Sequence, residues 1–244
     1  MSSPVRFRGI IHCHSHYSHD SLVSTRSYLR AARHHKLDFI ILTDHDSVAG
    51  ARELKSAAAR QMPELTVPLA AEYLTDQGDV IAAFIEQEIR PRNFADFIRA
   101  ARDANAVLML PHPYVGHRSP ERIAERVDLI EVVNCRTSSA RNARALELAN
   151  SLGKPVYAGS DAHFARSIDN AIVELDNLGT LSSSLTRARI GWAPPRFTSR
   201  WEYGASQLIK AWKRGDARLA LRLLRGACVR LLDLKRASAA VSSN

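Results

Sequence analysis

The sequence predicts an α/β protein, and three observations carry the prediction. Short apolar runs alternate with amphipathic stretches along residues 7–176. Such alternation implies parallel strands joined by helices, hence an α/β barrel or an open doubly wound sheet. His, Asp and Glu recur where the apolar runs end, the place where sites form in both architectures. Finally, 244 residues with 45% hydrophobic and 24% charged content suit one globular domain with an appendage. That composition excludes wholesale disorder, a collagen-like fibre and a disulfide scaffold.

The elements follow in order. Strand-like runs fall at 7–11, 38–42, 66–71, 80–85, 106–110, 129–133, 155–158 and 171–175. Helical stretches lie near 25–36, 48–60, 93–105, 119–127 and 138–152. The last of these stops at Gly153, and Pro155 opens the next strand. The stretch 177–204, with Gly179, Gly191, Pro194, Pro195 and Gly204 among several serines, reads as a linker or loop. Residues 205–244 read as a basic amphipathic helical tail. Within it, 216–236 forms one helix with Asp216 near its start, Leu219, Leu223, Leu224, Ala227, Leu231 and Leu234 on one side, and Arg218, Arg222, Arg225 and Arg236 on the other.

The net charge of +9 is unevenly distributed. Residues 1–186 carry 21 basic and 22 acidic side chains, whereas 187–244 carry 13 basic and 3 acidic. The charge therefore speaks for the tail, which is expected to dock on its own domain, on a second subunit, on an anionic membrane or on nucleic acid. Three scattered cysteines, Cys13, Cys135 and Cys228, suggest a reducing interior. No signal-peptide run opens the sequence and no apolar stretch approaches a membrane span, so a soluble cytoplasmic chain is expected.

The chemistry-bearing residues are concentrated. His12 and His14 end the first strand at i and i+2, which would point both to one side. Asp20 follows in a Ser/His-rich turn beside His19. Asp44 and His45 close the second strand, Glu72 the third and His112 the fifth; Glu131 lies in the sixth, and Asp161 and His163 follow the seventh. Imidazole and carboxylate suit Zn²⁺, Mn²⁺ or Fe²⁺, and so many ligands exceed the needs of one tetrahedral ion. Two or three divalent ions are expected. Cys13, between two ligand candidates, reads as a packed thiol. There is no Gly-x-Ser-x-Gly turn, Gly-x-Gly-x-x-Gly run or Walker sequence, so a serine triad and nucleotide cradling of those types are unsupported.

His12-Cys-His14, Thr43-Asp44-His45, Glu72, Pro111-His112-Pro113, Glu131 and Ser160-Asp161-Ala162-His163, in this order and spacing, resemble the polymerase and histidinol phosphatase (PHP) family. The resemblance covers residues 7–176 and implies a distorted (βα)7 barrel with a two- or three-metal phosphoesterase site. It implies that His12, His14, Glu72 and Asp161 hold one metal, with Glu72 bridging to a second held by His112. Asp20, His45 and His163 would hold a third or complete the cluster. Many relatives carry another ligand histidine on the strand after the bridging Glu. This chain has none between Glu72 and His112, which leaves either Glu86 or Glu88, just past the fourth strand, as a stand-in or a second metal that is weakly held.

Asp20 is also a candidate catalytic residue. Arg118 is a candidate to fork onto a phosphate, against the alternative of a surface ion pair. Asn134, Arg136 and His117 are candidates to line the pocket. The expected reaction is metal-dependent hydrolysis of a phosphate ester on a small phosphorylated metabolite, a nucleotide or an oligonucleotide end. The competing reading is a non-catalytic metal-binding module whose basic tail binds nucleic acid, membrane or a partner protein.

Overall fold

The computed structural model describes residues 6–223. Its regular strands form two sheets. One holds β2 (Phe39–Ile41), β1 (Arg6–Ile11), β8 (Val173–Asp176) and β9 (Ile190–Trp192) in that order. The other runs β3 (Ala70–Leu74), β4 (Asp79–Ala83), β5 (Val107–Leu110), β6 (Leu129–Asn134) and β7 (Val156–Gly159).

The mixed α/β class is as expected, but the strands are not all parallel. β1 pairs parallel with β2, and β6 pairs parallel with both β5 and β7. β3–β4, β4–β5, β1–β8 and β8–β9 are antiparallel. For β3–β4 the reason is connection length, because a parallel return needs a crossover of a dozen or more residues. Between β3 and β4 there is only a tight turn, in which Thr75 N–H donates to the Gly78 carbonyl at 3.0 Å and Gly78 adopts φ 136°.

The ladders do not draw the single closed (βα)7 ring that the resemblance implied. The two sheets meet instead at two seams made of isolated bridges. Cys13 pairs with Ala162 at one, and Phe39 with Thr66 and His45 with Glu72 at the other.

Helices α1 (Thr25–His35), α2 (Ala49–Gln61), α3 (Phe94–Asp103), α4 (Pro120–Arg126) and α5 (Ser139–Leu152) fall where the periodicity put them. Their ends follow local chemistry. Ser24, Asn93 and Ser138 cap the starts of α1, α3 and α5 with side-chain oxygens, and Gly153 ends α5 in a left-handed conformation. Alternation along the strands divides the core in two. Ile10 and Ile40 belong to the cluster packed with the helices; Ile11, Phe39, Ile41, Ala70, Ile81, Met109 and Tyr157 form an interior shared by both sheets.

Residues 177–204 depart from the linker expectation. They hold α6 (Leu181–Arg187), β9 and the first turns of α7 (Arg200–Lys213). Leu181, Leu185 and Ile190 are buried there, and their apolar contacts outweigh the surrounding Gly, Pro and Ser. The expected helix over 216–236 lies mostly outside the described residues. Within them 217–223 is helical, and Asp216 Oδ1 accepts the N–H of Leu219 at 2.9 Å. No helix among the described residues is long and apolar enough to cross a membrane.

Candidate metal centre

The strand ends and the loops that follow them bring eight predicted ligands into one cluster. Glu72 is at its middle. Its Oε2 lies 3.3 Å from His45 Nδ1, 3.5 Å from His14 Nε2 and 3.6 Å from His12 Nε2, while Oε1 lies 3.0 Å from His112 Nε2. Asp161 Oδ1 lies 3.4 Å from His14 Nε2, 3.4 Å from His163 Nδ1 and 3.8 Å from His12 Nε2. Asp20 Oδ2 lies 3.1 Å from His163 Nε2, 3.5 Å from His45 Nε2 and 3.7 Å from His19 Nε2. Four overlapping groups have donor atoms within 4.8 Å of one another: His12–His14–Asp161, His12–Glu72–His112, His14–His45–His163 and His19–Asp20–His45.

The convergence does not arise from the pleat alone. β1 ends at Ile11, and His12 (φ 60°), His112 (φ 29°) and Asp161 (φ 46°) all occupy left-handed backbone, where non-glycine residues are uncommon. Such strain costs roughly 1–3 kcal/mol per residue and persists where the surroundings over-determine it. Here Asp161 N–H donates to the His12 carbonyl at 2.6 Å, and His112 N–H to Glu131 Oε2 at 2.7 Å.

Further residues fix the rings. Glu131 Oε1 accepts from His12 Nδ1 at 2.9 Å, leaving Nε2 for the cluster. On the neighbouring ring, His14 Nδ1 meets Ser18 Oγ at 3.1 Å, and that hydroxyl donates to Asp44 at 2.8 Å. Asn134 Nδ2 donates to both Glu131 (2.9 Å) and Asp161 (3.1 Å). Nε2 of His12 and His14, Oε2 of Glu72 and Oδ1 of Asp20 are all buried without a hydrogen-bond partner. Stranded buried polar atoms of this kind are rare in native proteins and call for an explanation.

Electrostatics gives the carboxylates and His14 ligand character. Burial opposes ionisation of Glu72, Asp161 and Asp20, yet the imidazoles beside them hold all three carboxyls below the usual range. Burial and then His163 push His14 down to about 3, so its ring is neutral, the form that binds metal. Burial also opposes charging His45 and His112, but Glu72, with Asp20 for His45, raises both to about 9. Ionised carboxylates and imidazole nitrogens facing one another at 3.0–3.8 Å form a donor set that fits divalent cations.

The other candidates separate. Asn134 lines the cleft over the cluster, as does Arg136, whose guanidinium lies against the His163 ring and 3.6 Å from Asp161. Arg118 is exposed and outside that cleft, its N–H bonded to the Gln77 carbonyl. His117 also lies off the cleft lining, with Nε2 on the Asp79 carbonyl at 3.0 Å, and burial, then His112, lowers it to about 4. Cys13 is a buried thiol raised by burial.

Glu86 is exposed, and Glu88 accepts from Ser47 and the Val48 N–H beside another surface hollow, so neither reaches the cluster. Sequence reasoning missed Asp79, which does line the cleft. Because β4 runs antiparallel, its start, not its end, opens at the mouth. Asp79 stands two residues beyond Ile81, the register partner of Glu72, and so shares that face. Burial and then Glu72 raise its carboxyl to about 6. Also missed were Tyr203, Gln207 and Lys210 of α7, which form one wall of the cleft. Their i, i+4, i+7 spacing was readable; their position over the cluster was not.

The fold and the cluster together define a mixed α/β protein with a polynuclear His/carboxylate centre at its strand ends. A family model described as the PHP domain matches residues 11–117, and one described as PHP-associated matches 140–188. The two span more than half of the chain, and the chain belongs to the PHP family. An uncharacterized protein of Methanocaldococcus jannaschii is 26% identical over 163 residues, covering 54% of this chain and 68% of its own. Among solved structures, a Bacteroides vulgatus two-domain protein is described as containing a predicted PHP-like metal-dependent phosphoesterase. It superposes with TM-score 0.66 at 18% identity, over 79% of this chain and 66% of its own. PsfC of Pseudomonas syringae superposes with TM-score 0.60 at 15% identity, over 86% of this chain and 98% of its own. The match thus spans about two thirds of the M. jannaschii and B. vulgatus chains.

Proposed function

We propose that the chain hydrolyses phosphate esters with the help of two or three divalent cations, Zn²⁺, Mn²⁺ or Fe²⁺, held in this cluster. The observation that carries the reading is the convergence of buried, unpartnered His12 Nε2, His14 Nε2 and Glu72 Oε2. His12, His14 and Asp161 would hold one cation; Glu72, His112 and Asp79 a second; and Asp20, His45 and His163 a third. Cations bound there supply an activated water and charge stabilisation for phosphoryl transfer. The chain's own groups do the rest. Glu131 and Asp44, the latter through Ser18, keep His12 and His14 oriented. Arg136, in the place first given to Arg118, orients a phosphate oxygen at the mouth, and Asn134 holds Asp161 against it. The two seams support reading the sheets as a distorted barrel around this mouth. The cleft measures about 180 Å³. That is below the roughly 300 Å³ where drug-sized ligand pockets begin, and it favours a small phosphorylated metabolite.

The test joins metal analysis by mass spectrometry to hydrolysis of p-nitrophenyl phosphate with added Mn²⁺. At least two ions per chain and hydrolysis lost in His12→Ala are expected. One ion or none, or hydrolysis that survives the substitution, would defeat the assignment.

A further inference from the structure

Helix α7 lies beyond both family-model matches, yet it walls the cleft. Its position is set by polar contacts along its length. At the N-terminal end Ser199 and Glu202 form a reciprocal cap, and Glu202 Oε1 accepts from Arg166 at 2.8 Å and Ser167 at 2.6 Å. In the middle Ser206 Oγ accepts from Arg136 Nη2 at 2.8 Å. At the C-terminal end Lys213 Nζ donates to the carbonyls of His16 (2.6 Å), Ser18 (2.7 Å) and Ser21 (2.8 Å), clasping the loop that carries Asp20.

A helix held in this way presents a fixed face, and the face it turns to the cleft is Tyr203, Gln207 and Lys210. The lining is polarised. Asp20, Glu72, Asp79 and Asp161 belong to the carboxylate side with the cluster histidines, whereas α7 contributes a cation, an amide and a phenol. Among the described residues Lys210 has no carboxylate within ion-pair distance, unlike Arg136, which is engaged by Asp161 and Ser206. Thr137, also in the lining, has a buried Oγ1 with no hydrogen-bond partner. An unengaged ammonium and a stranded hydroxyl in one small cleft, beyond the guanidinium nearest the cluster, are donors for an anion other than the one on the cluster.

We propose that Lys210, assisted by Gln207 and Thr137, binds a second anionic group of the substrate, a phosphate or a carboxylate carried a few bonds from the scissile phosphate. The inference rests on the phosphoesterase reading for what occupies the cluster. It makes α7 the element that selects among small phosphate esters.

The experiment is calorimetric titration of the metal-loaded full chain with three non-hydrolysable probes. Propylphosphonate carries one anion; 3-phosphonopropionate and propane-1,3-diphosphonate add a carboxylate or a second phosphonate at similar reach. The wild type is expected to bind at least one double anion about tenfold more tightly than propylphosphonate, and the preferred one names the second group. Lys210→Ala should bring that ratio to within twofold of one, with propylphosphonate affinity unchanged, and Lys210→Arg should restore most of the preference. Equal binding of all three probes by the wild type, or a preference that survives Lys210→Ala, overturns the inference. Hydrolysis of p-nitrophenyl phosphate by the wild type is followed in parallel. If the wild type hydrolyses no ester, the phosphoesterase reading fails, while the phosphonate comparison still decides whether Lys210 reads a second anion.

Discussion

At the scale of single residues, the site depends on which atoms are left without protein partners. Nε2 of His12 and His14 are free because Nδ1 of each is taken by Glu131 or Ser18. Glu131→Gln removes the charge behind His12, and partners of this kind are worth about 10–100-fold in metal affinity. Competition with a chromogenic chelator should show a loss in that range, without loss of the fold by circular dichroism. Most of the clustered candidates were legible because the HxH, DH and DxH spacings are local. Asp79 was not, because its relevance depends on strand direction. Reading every strand as parallel sends the search past the end of β4, to Glu86 and Glu88; the antiparallel hairpin brings its beginning to the mouth. Asp79→Asn should therefore lower the metal retained after dialysis by about one ion per chain, while Glu88→Gln leaves it unchanged. Mass spectrometry of the two variants side by side checks this.

At the scale of elements, α1 to α5 were readable from apolar periodicity and cap residues, whereas α6 and β9 were hidden under a composition of Gly, Pro and Ser. The seating of α7 on the domain was likewise beyond local signals, since Arg166, Arg136 and the 16–21 loop lie far from it in sequence. Glu202 supplies a pH handle on that seating. Although burial opposes its ionisation, Arg166 and Ser167 lower its carboxyl from 4.5 to about 2. A depressed carboxyl contributes stability above its ordinary value and loses it as the pH falls through the folded one. The seating should thus weaken between about pH 4.5 and pH 2 in the wild type, and Glu202→Gln should lack that component. Fluorescence of Trp201, which packs beside Phe164 and Arg166, reports it as a difference between the two titrations. At the other end of the helix, Lys213→Ala removes three hydrogen bonds from a charged donor. A loss of about 1–3 kcal/mol is expected, seen as a lower melting temperature.

At the scale of the whole molecule, the two seams and the candidate metal centre coincide. The His45–Glu72 bridge belongs to one seam, and the Cys13–Ala162 bridge to the other, flanked by His12, His14, Asp161 and His163. Each sheet alone supplies only part of the candidate donor set, so cations bound among these side chains would act as rivets between two plates that the backbone bolts together at a few points. Ligands that bind only the assembled form stabilise it by mass action. Their removal should therefore act locally rather than soften the molecule evenly. Chelation should speed hydrogen exchange first at the seam amides, Glu72 N–H on the Asp44 carbonyl and His14 N–H on the Ala162 carbonyl. Amides inside the β5–β6–β7 ladder should keep their protection, and uniform acceleration across both sheets would contradict the rivet picture. A protein assembled this way has its most separable joint at its candidate metal centre, so that loading the centre would also lock the two sheets together.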